Sequence, residues 1–306
     1  MEDVDFKKLE VDKENDDVQY NDRTHTYWSK SSLQKCISVT TLIHKFTTFD
    51  ESFWSKYKAL EAIMEPEDFT MVKPDLLEHK KFNDKILEDF DIESDDFENK
   101  VAEILGEWEV KRETACLRGS NIHKEYELQT LVGDYSGIES FGISRYDGFK
   151  VNTNNKLLEG QYVLPELLLS RISEDGILRL AGQADLVIVD GTDVIILDFK
   201  TNKEIKTKSF YDKRKRKSER MKYPLNNFDD TNFWHYTIQL STYAWMIEKN
   251  NPNLKVKALY LLHHDHNDKK TIYECEYRKN DVERMLAFYK KDLEYQMFKE
   301  RNTKCH

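Results

Sequence analysis

Two aspartates and a lysine lie in two apolar segments that a short turn joins. Asp185 belongs to the first segment, and Asp198 and Lys200 belong to the second. Carboxylates bind divalent cations that also contact phosphate, and a nearby ammonium group can hold or help deprotonate a water, so the trio suits phosphodiester hydrolysis. A lone Asp-x-Lys sequence is more often a structural ion pair at a strand end. The aspartate on the neighbouring segment favours a metal site instead.

The turn between the two segments predicts a β-hairpin. Asp190-Gly191 is a strong turn signal because glycine adopts the positive φ that tight hairpin turns require. A loop of Gly191-Thr192, or a four-residue loop around it, places Asp185 directly opposite Asp198. A loop of Asp190-Gly191 makes the two carboxylates diagonal neighbours about 7–8 Å apart. Only a three-residue loop would place them on opposite faces.

The residues around these charged groups indicate a buried position. Residues 186–188 and 194–197 are apolar on both faces, as in a central strand that is covered on both sides. Alternation along the second strand places Lys200 on the face of Asp198. Burying these charges unpaired would be costly, so they require each other, a cation, or both.

Charge and composition restrict the possible functions. The 306-residue chain has a formal net charge of −10, which argues against coating nucleic acid by bulk charge but allows a local basic groove. None of the four cysteines stands in a Cys-x-x-Cys pair, so no zinc site or iron–sulfur cluster is expected. Without a secretory signal or a run of about 18 apolar residues, the sequence predicts a soluble intracellular protein that does not contact membranes.

The sequence predicts three parts. Residues 1–19 are a flexible leader, residues 20–115 form a strand pair and an acidic helical lobe, and residues 116–306 form the core that contains the hairpin. Between Glu61 and Glu109 there are 17 Asp and Glu residues against 5 lysines, with apolar residues at helical spacing. This acidic surface would repel phosphates, so the solvated face of a helical lobe is the favoured interpretation.

Further candidate residues flank the hairpin. Ser120 or Asn121 is predicted to cap a helix that carries His123, although a lone histidine is more often a packing residue than a ligand. Glu166 lies among leucines in a strand predicted over residues 161–170, where a carboxylate is either paired or catalytic. Gln239 and Tyr243 share one face of a helix predicted over residues 232–249.

A basic segment follows the hairpin. Residues 203–222 contain ten Lys and Arg residues against three Asp and Glu residues. Such a segment is usually a solvated loop and resembles a nuclear-localisation signal, which leaves nucleus and cytoplasm both open. Beside buried carboxylates it could instead bind a phosphate backbone. Its central run is Lys213, Arg214, Lys215, Arg216 and Lys217.

The order of these motifs resembles the PD-(D/E)xK nuclease superfamily, and in particular its RecB-like exonuclease branch. The N-terminal segment from Ser38 to Trp54 is also similar to viral and phage members of this branch and to the mitochondrial genome-maintenance exonuclease type. The resemblance implies an α/β, restriction-endonuclease-like fold: a mixed central sheet flanked by helices, with an N-terminal helical lobe. The matching motifs are Gly119 with His123, Gly182 with Asp185, Asp198 to Thr201, and Gln239 with Tyr243.

The resemblance also implies roles for single residues. His123, Asp185 and Asp198 would bind one or two Mg²⁺ or Mn²⁺ ions, and Lys200 would be catalytic together with the two aspartates. Glu166 matches a further catalytic carboxylate. The residues expected to support the site or the DNA strand are Thr201, Gln239 and Tyr243, together with the basic run from Lys213 to Lys217.

These features together predict a metal-dependent DNA exonuclease that acts on DNA ends or single strands in replication, repair or recombination. A structure-specific endonuclease uses the same core and stays open as an alternative. A catalytically silent nucleic-acid-binding subunit is a second alternative. It is disfavoured because Asp185, Asp198 and Lys200 are all present, whereas a degenerate site has usually lost one of the three.

Overall fold

The computed structural model describes residues 13–134, 149–151, 157–209, 211–212 and 216–303. The chain divides into two compact units. One unit contains residues 1–47 and 121–306, and the other is Thr48–Ser120. None of the helices among the described residues combines the length and apolar character that a membrane span requires.

The strands are short near the N-terminus and long in the centre of the chain. In chain order they are β1 (Lys13–Glu14), β2 (Val18–Asn21), β3 (Thr26–Ser29), β4 (Lys35–Ser38), β5 (Lys150–Val151), β6 (Gly160–Ile172), β7 (Arg179–Gly191), β8 (Asp193–Lys200), β9 (Tyr211–Asp212), β10 (Lys217–Ser218), β11 (Lys255–His264) and β12 (Lys270–Cys275).

The first unit contains helices as well as this sheet, and the second unit is built of helices. They are α1 (Val39–His44), α2 (Glu51–Ile63), α3 (Pro66–His79), α4 (Lys85–Asp89), α5 (Ser94–Leu131), α6 (Asn232–Asn250) and α7 (Lys279–Thr303). Within Thr48–Ser120 an apolar core forms among the helices, with Phe53, Tyr57, Leu60 and Phe69 buried. The predicted acidic lobe is therefore helical.

Among the described residues, ten strands form one mixed sheet. β7 pairs antiparallel with β6 along one edge, while β4 (parallel) and β8 (antiparallel) pair with its other edge at different heights. β8 continues through parallel β11 to antiparallel β12. The predicted fold, a mixed central sheet flanked by helices, is confirmed.

The central hairpin has the register that places the two aspartates opposite each other. Asp190 pairs with Asp193 and Leu186 pairs with Leu197, so Gly191 and Thr192 form the loop. Gly191 has φ +64°, which a tight turn requires and glycine tolerates. Continued by one residue, this register sets Asp185 against Asp198.

Side-chain alternation breaks in β6 and β7 at the same height. Leu164 and Leu167 both pack in the core beneath α6, although three residues of a regular strand would turn them to opposite faces. Ala184 and Val187 repeat this pattern in β7. Glu166, at the break in β6, has φ +51°, a conformation that side chains other than glycine rarely adopt. Such strain commonly marks functional sites, where surrounding contacts hold it.

Two local features differ from the sequence-based expectations. Residues 13–19, within the segment expected to be a flexible leader, contain β1 and the start of β2, because Val18 is fully buried against the sheet. The helix that carries His123 does not begin at Ser120 or Asn121. It is part of α5, and hydrogen bonds from the preceding turn replace a cap at that point.

Gly182 allows β7 to lie close to α6. A Cβ atom at this position would lie 2.6 Å from Cε1 of Tyr243 and 3.2 Å from Cγ2 of Val39. Both neighbours are buried, so neither side chain can move away cheaply. We therefore expect Gly182→Ala to lower the free energy of unfolding by about 1–3 kcal/mol, measured by urea denaturation.

A double-mutant cycle gives the matched control for this prediction. In a Tyr243→Leu background the clashing ring is absent, so the further cost of Gly182→Ala should fall. An equal cost in both backgrounds would show that the contact between Gly182 and Tyr243 does not constrain this strand.

Candidate active site

Three carboxylates lie in one row across the central strands. The pairs that flank Glu166, Pro165 with Leu186 and Leu167 with Ala184, set Glu166 opposite Asp185. The hairpin register sets Asp185 opposite Asp198. Glu166, Asp185 and Asp198 thus occupy equivalent heights on β6, β7 and β8, although they are far apart in the sequence.

His123 of α5 approaches two of these carboxylates from outside the sheet. Its Nδ1 atom lies 3.5 Å from Oδ1 of Asp185 and 3.9 Å from Oε1 of Glu166. One ligand atom from each of the three residues lies within 4.8 Å of the others, which is close enough for one metal ion to bind all three. Asp185 is buried, and His123 and Glu166 are partly buried.

The hydrogen bond of Nε2 in His123 determines whether Nδ1 of the neutral ring is a donor or an acceptor. Nε2 lies 3.0 Å from the carbonyl oxygen of Phe199, which can only accept a hydrogen bond, so Nε2 carries the proton. In the neutral ring, Nδ1 then presents a lone pair to the carboxylates of Asp185 and Glu166. Three acceptor atoms therefore converge and require a cation or a proton between them.

The backbone of Phe199 orients two of these side chains. Its N–H donates to Oδ2 of Asp185 over 2.6 Å, while its carbonyl accepts from His123. Its ring packs edge-on against His123 and tilted against the ring of Tyr126. Phe199 is the middle residue of Asp198-Phe199-Lys200, so one strand end supplies both charged side chains and the backbone groups that hold their neighbours.

Asp198 binds Lys200 and Gln239. Its Oδ2 atom lies 2.5 Å from Nζ of Lys200, and its Oδ1 atom accepts from Nε2 of Gln239 at 3.3 Å. The same Gln239 nitrogen lies 3.2 Å from the hydroxyl oxygen of Tyr243. The shared face predicted for Gln239 and Tyr243 is thus directed at Asp198, which is 1% exposed.

Three contacts at the site were not anticipated from the sequence. Nζ of Lys200 lies 4.6 Å from the ring centre of Tyr236, a favourable cation–π distance. Gln183 donates to Oε2 of Glu166, and Nζ of Lys13 lies 4.0 Å from the same oxygen. The position of Tyr236 near the site could have been predicted from the sequence, because Tyr236 precedes Gln239 by about one helical turn. Lys13 carried no sequence signal.

Burial and like charges change the ionisation of the site. Burial, and then the charge of Asp185, raises the pKa of Glu166 well above its ordinary value. Burial also raises the pKa of Asp198, against the lowering effect of Lys200. Burial disfavours the ammonium form of Lys200, but the charges of Asp198 and Asp185 outweigh it and raise its pKa. Lys200 is therefore a charged donor at neutral pH.

A divalent cation fits these residues. The imidazole nitrogen and carboxylate oxygens are donors that Mg²⁺ and especially Mn²⁺ accept. Glu166, Asp185 and His123 would hold such an ion, whose charge would offset the repulsion that raises the pKa of Glu166.

The structure brings together most of the predicted site residues. His123, Glu166 and Asp185 form one cluster, and Asp198 pairs with Lys200 beside it. The metal-binding role of Asp198 stays a prediction. Thr201 directly follows β8 and is partly exposed. Arg216 directly precedes β10 and Lys217 is its first residue, and both are exposed. Lys213, Arg214 and Lys215 lie outside the described residues.

Comparison with known families identifies the fold and its chemistry. The sequence profile of the PD-(D/E)XK nuclease superfamily matches residues 58–304, a range that includes all the residues of the row and the cluster. The chain belongs to this superfamily. Its members use divalent metals, so the fold and the His123–Glu166–Asp185 cluster together indicate a metal-dependent nuclease.

Solved structures give more distant similarities. The chain is similar to SSO0001 at 18% identity and a TM-score of 0.27, over 58% of this chain and 71% of that one. It is also similar to a candidate exonuclease from Eubacterium rectale at 12% identity and a TM-score of 0.30, over 55% of this chain. The match spans about half, 51%, of that second protein. No curated protein matches the sequence.

Proposed function

We propose that this nuclease is a DNA exonuclease of the RecB-like branch that uses Mg²⁺ or Mn²⁺ and acts on DNA ends or single strands in replication, repair or recombination. The observation that carries the proposal is the convergence of His123 Nδ1 with the carboxylates of Glu166 and Asp185, next to the ion pair of Asp198 and Lys200. The branch assignment rests on the four motifs from Gly119 to Tyr243.

Each residue has a distinct task in the proposed reaction. Bound at the cluster, the metal ion would polarise the scissile phosphodiester and lower the pKa of an attacking water. Lys200 donates hydrogen bonds to a phosphate oxygen or to that water. Asp198 fixes the ammonium group, and Tyr236 covers it, so that Lys200 does not need to reorganise during the reaction.

Supporting residues hold this arrangement from the side of α6. Gln239 donates to Asp198 and is itself in contact with Tyr243, so the carboxylate keeps one orientation. We assign Thr201 a supporting role at the end of β8. In this proposal the basic run from Lys213 to Lys217 binds the phosphate backbone of the DNA strand.

Cleavage of labelled DNA tests the proposal. With Mg²⁺ present, the protein should degrade linear single-stranded DNA and leave circular single-stranded DNA intact, and a chelator should abolish the activity. Lys200→Met and Asp198→Asn should each lower kcat by about 10²–10⁴-fold, because each removes part of the reacting constellation. The measurement is product formation from end-labelled strands on denaturing gels.

The opposite end of β8 offers a matched control. Asp193 and Lys257 form an exposed ion pair at 3.5 Å, so Asp193→Asn and Lys257→Met make the same chemical changes away from the site. These variants should retain activity. Rapid cutting of the circle would replace the exonuclease assignment with an endonuclease one. Full activity of folded Lys200→Met would contradict the site assignment.

The basic run has a separate test. Replacing Lys213 to Lys217 with glutamine should weaken DNA binding and reduce the slope of log affinity against log salt by about one unit for each lost phosphate contact. Fluorescence anisotropy at several salt concentrations measures both quantities. An unchanged slope would show that this run is a solvated loop that does not contact the strand.

A further inference from the structure

A cleft of about 390 Å³ lies beside β3 and β4, away from the carboxylate row. Three of its lining residues are cations: Lys35 and Lys45 near the ends of β4 and α1, and Arg179 at the start of β7. None of the described residues that line it is an aspartate or a glutamate. The wall of the cleft is therefore positively charged in a chain whose net charge is −10.

These cations are not neutralised by their surroundings. Among the described residues, neither lysine forms an ion pair, and Lys45 instead lies 5.7 Å above the ring of Tyr289. Arg179 donates from Nη1 to the carbonyl of Gly176, and its Nε–H has no partner in the described part of the chain. A guanidinium group has five N–H donors. The Nε–H of Arg179 is buried and one donor of Nη1 is used by Gly176, so the remaining Nη donors are the ones offered to an anion.

Hydroxyl groups complete the lining. Ser38 and Thr41 contribute hydroxyls from one wall, and Thr24 and Thr26 contribute them from the β2–β3 turn. Arginine, lysine, serine and threonine are the side chains that most often contact phosphate oxygens in complexes with nucleic acids. The combination of unpaired cations and hydroxyls without a carboxylate therefore suits a phosphate group.

Tyr27 links the cleft to the carboxylate row. It is buried in the wall of the cleft and packs in one apolar cluster with Leu168 and Ala181, which lie on the strands that carry Glu166 and Asp185. Arg179 and Asp185 lie on the same strand, six residues apart, which corresponds to about 20 Å. A short stretch of one nucleic-acid strand can span this distance.

We propose that this cleft binds a phosphate group of the same DNA strand whose reacting phosphodiester lies at the His123–Glu166–Asp185 cluster. The inference rests on the proposed function and adds a second anchoring point for the substrate. A terminal phosphate monoester and an internal phosphodiester share the required chemistry. A terminal phosphate in the cleft would fix the distance from the DNA end to the cut.

Binding of short oligonucleotides in the presence of a chelator tests this anchor without cleavage. The probes are fluorescent single strands with a 5′-phosphate, a 3′-phosphate or hydroxyls at both ends. Arg179→Gln and Lys45→Gln should each weaken binding by about tenfold, the loss expected for one charge-assisted contact. Lys45 is exposed, so its variant tests the cleft even if Arg179→Gln folds poorly. Lys255→Gln, an exposed lysine near the hairpin loop, is the matched control.

The three probes identify the source of the phosphate. If a terminal phosphate occupies the cleft, the variants lose affinity only for the strand that carries it. If an internal phosphodiester does, they lose affinity for all three strands alike. Unchanged affinity in both variants, or an equal loss in Lys255→Gln, would overturn the proposal.

Calorimetric titration with inorganic phosphate separates this proposal from the proposed function. If the variants bind and cut DNA like the unaltered protein, the anchor proposal is wrong and the proposed nuclease function still stands. A protein that cuts no DNA, yet binds inorganic phosphate in a manner that requires Arg179, would overturn the proposed function while the cleft remains a phosphate site.

Discussion

The site depends on the mutual repulsion of three acceptor groups in a poorly solvated place. In the neutral ring of His123, Nε2 donates to a backbone carbonyl, so Nδ1 meets the carboxylates of Glu166 and Asp185 without a donor between them. Burial, and then the charge of Asp185, raises the pKa of Glu166. A bound divalent cation would offset both the repulsion among the three acceptor groups and the cost of burying the Glu166 carboxylate. Metal binding is therefore coupled to the stability of this region.

The strands maintain this arrangement through irregularities that a regular sheet would lack. The alternation of side chains breaks at Glu166 and Asp185 together, and Glu166 has a left-handed backbone conformation. In the described part of the chain, the pairing of β7 with β4 ends at Ala181 and its pairing with β8 begins at Leu186, and beside this gap Oδ2 of Asp185 accepts the backbone N–H of Phe199. The strain is offset by these contacts and by close packing of Tyr243 against Gly182.

Much of this organisation could be predicted from local sequence patterns. The turn at Gly191 limited the hairpin to a few registers, and helical spacing placed Gln239 and Tyr243 on one face. Alternation along β8 also placed Lys200 on the face of Asp198, as the structure shows. The approach of His123 to Glu166 and Asp185 could not be predicted from local patterns, because it joins residues that are far apart in the sequence. Residues near the N-terminus were also missed, since Val18 is buried in an apolar cluster with Leu168 and Ala181, which are far away in the sequence and leave no local signature.

Calorimetric titration of the chelator-treated protein with Mn²⁺ tests the central claim most directly. The converging acceptor atoms predict a saturable site whose affinity falls at least tenfold, about 1.4 kcal/mol, in Glu166→Gln and in Asp185→Asn. Asp193→Asn, at the far end of β8, should bind Mn²⁺ like the unaltered protein. Equal Mn²⁺ affinity in folded Glu166→Gln, Asp185→Asn and the unaltered protein would contradict the account.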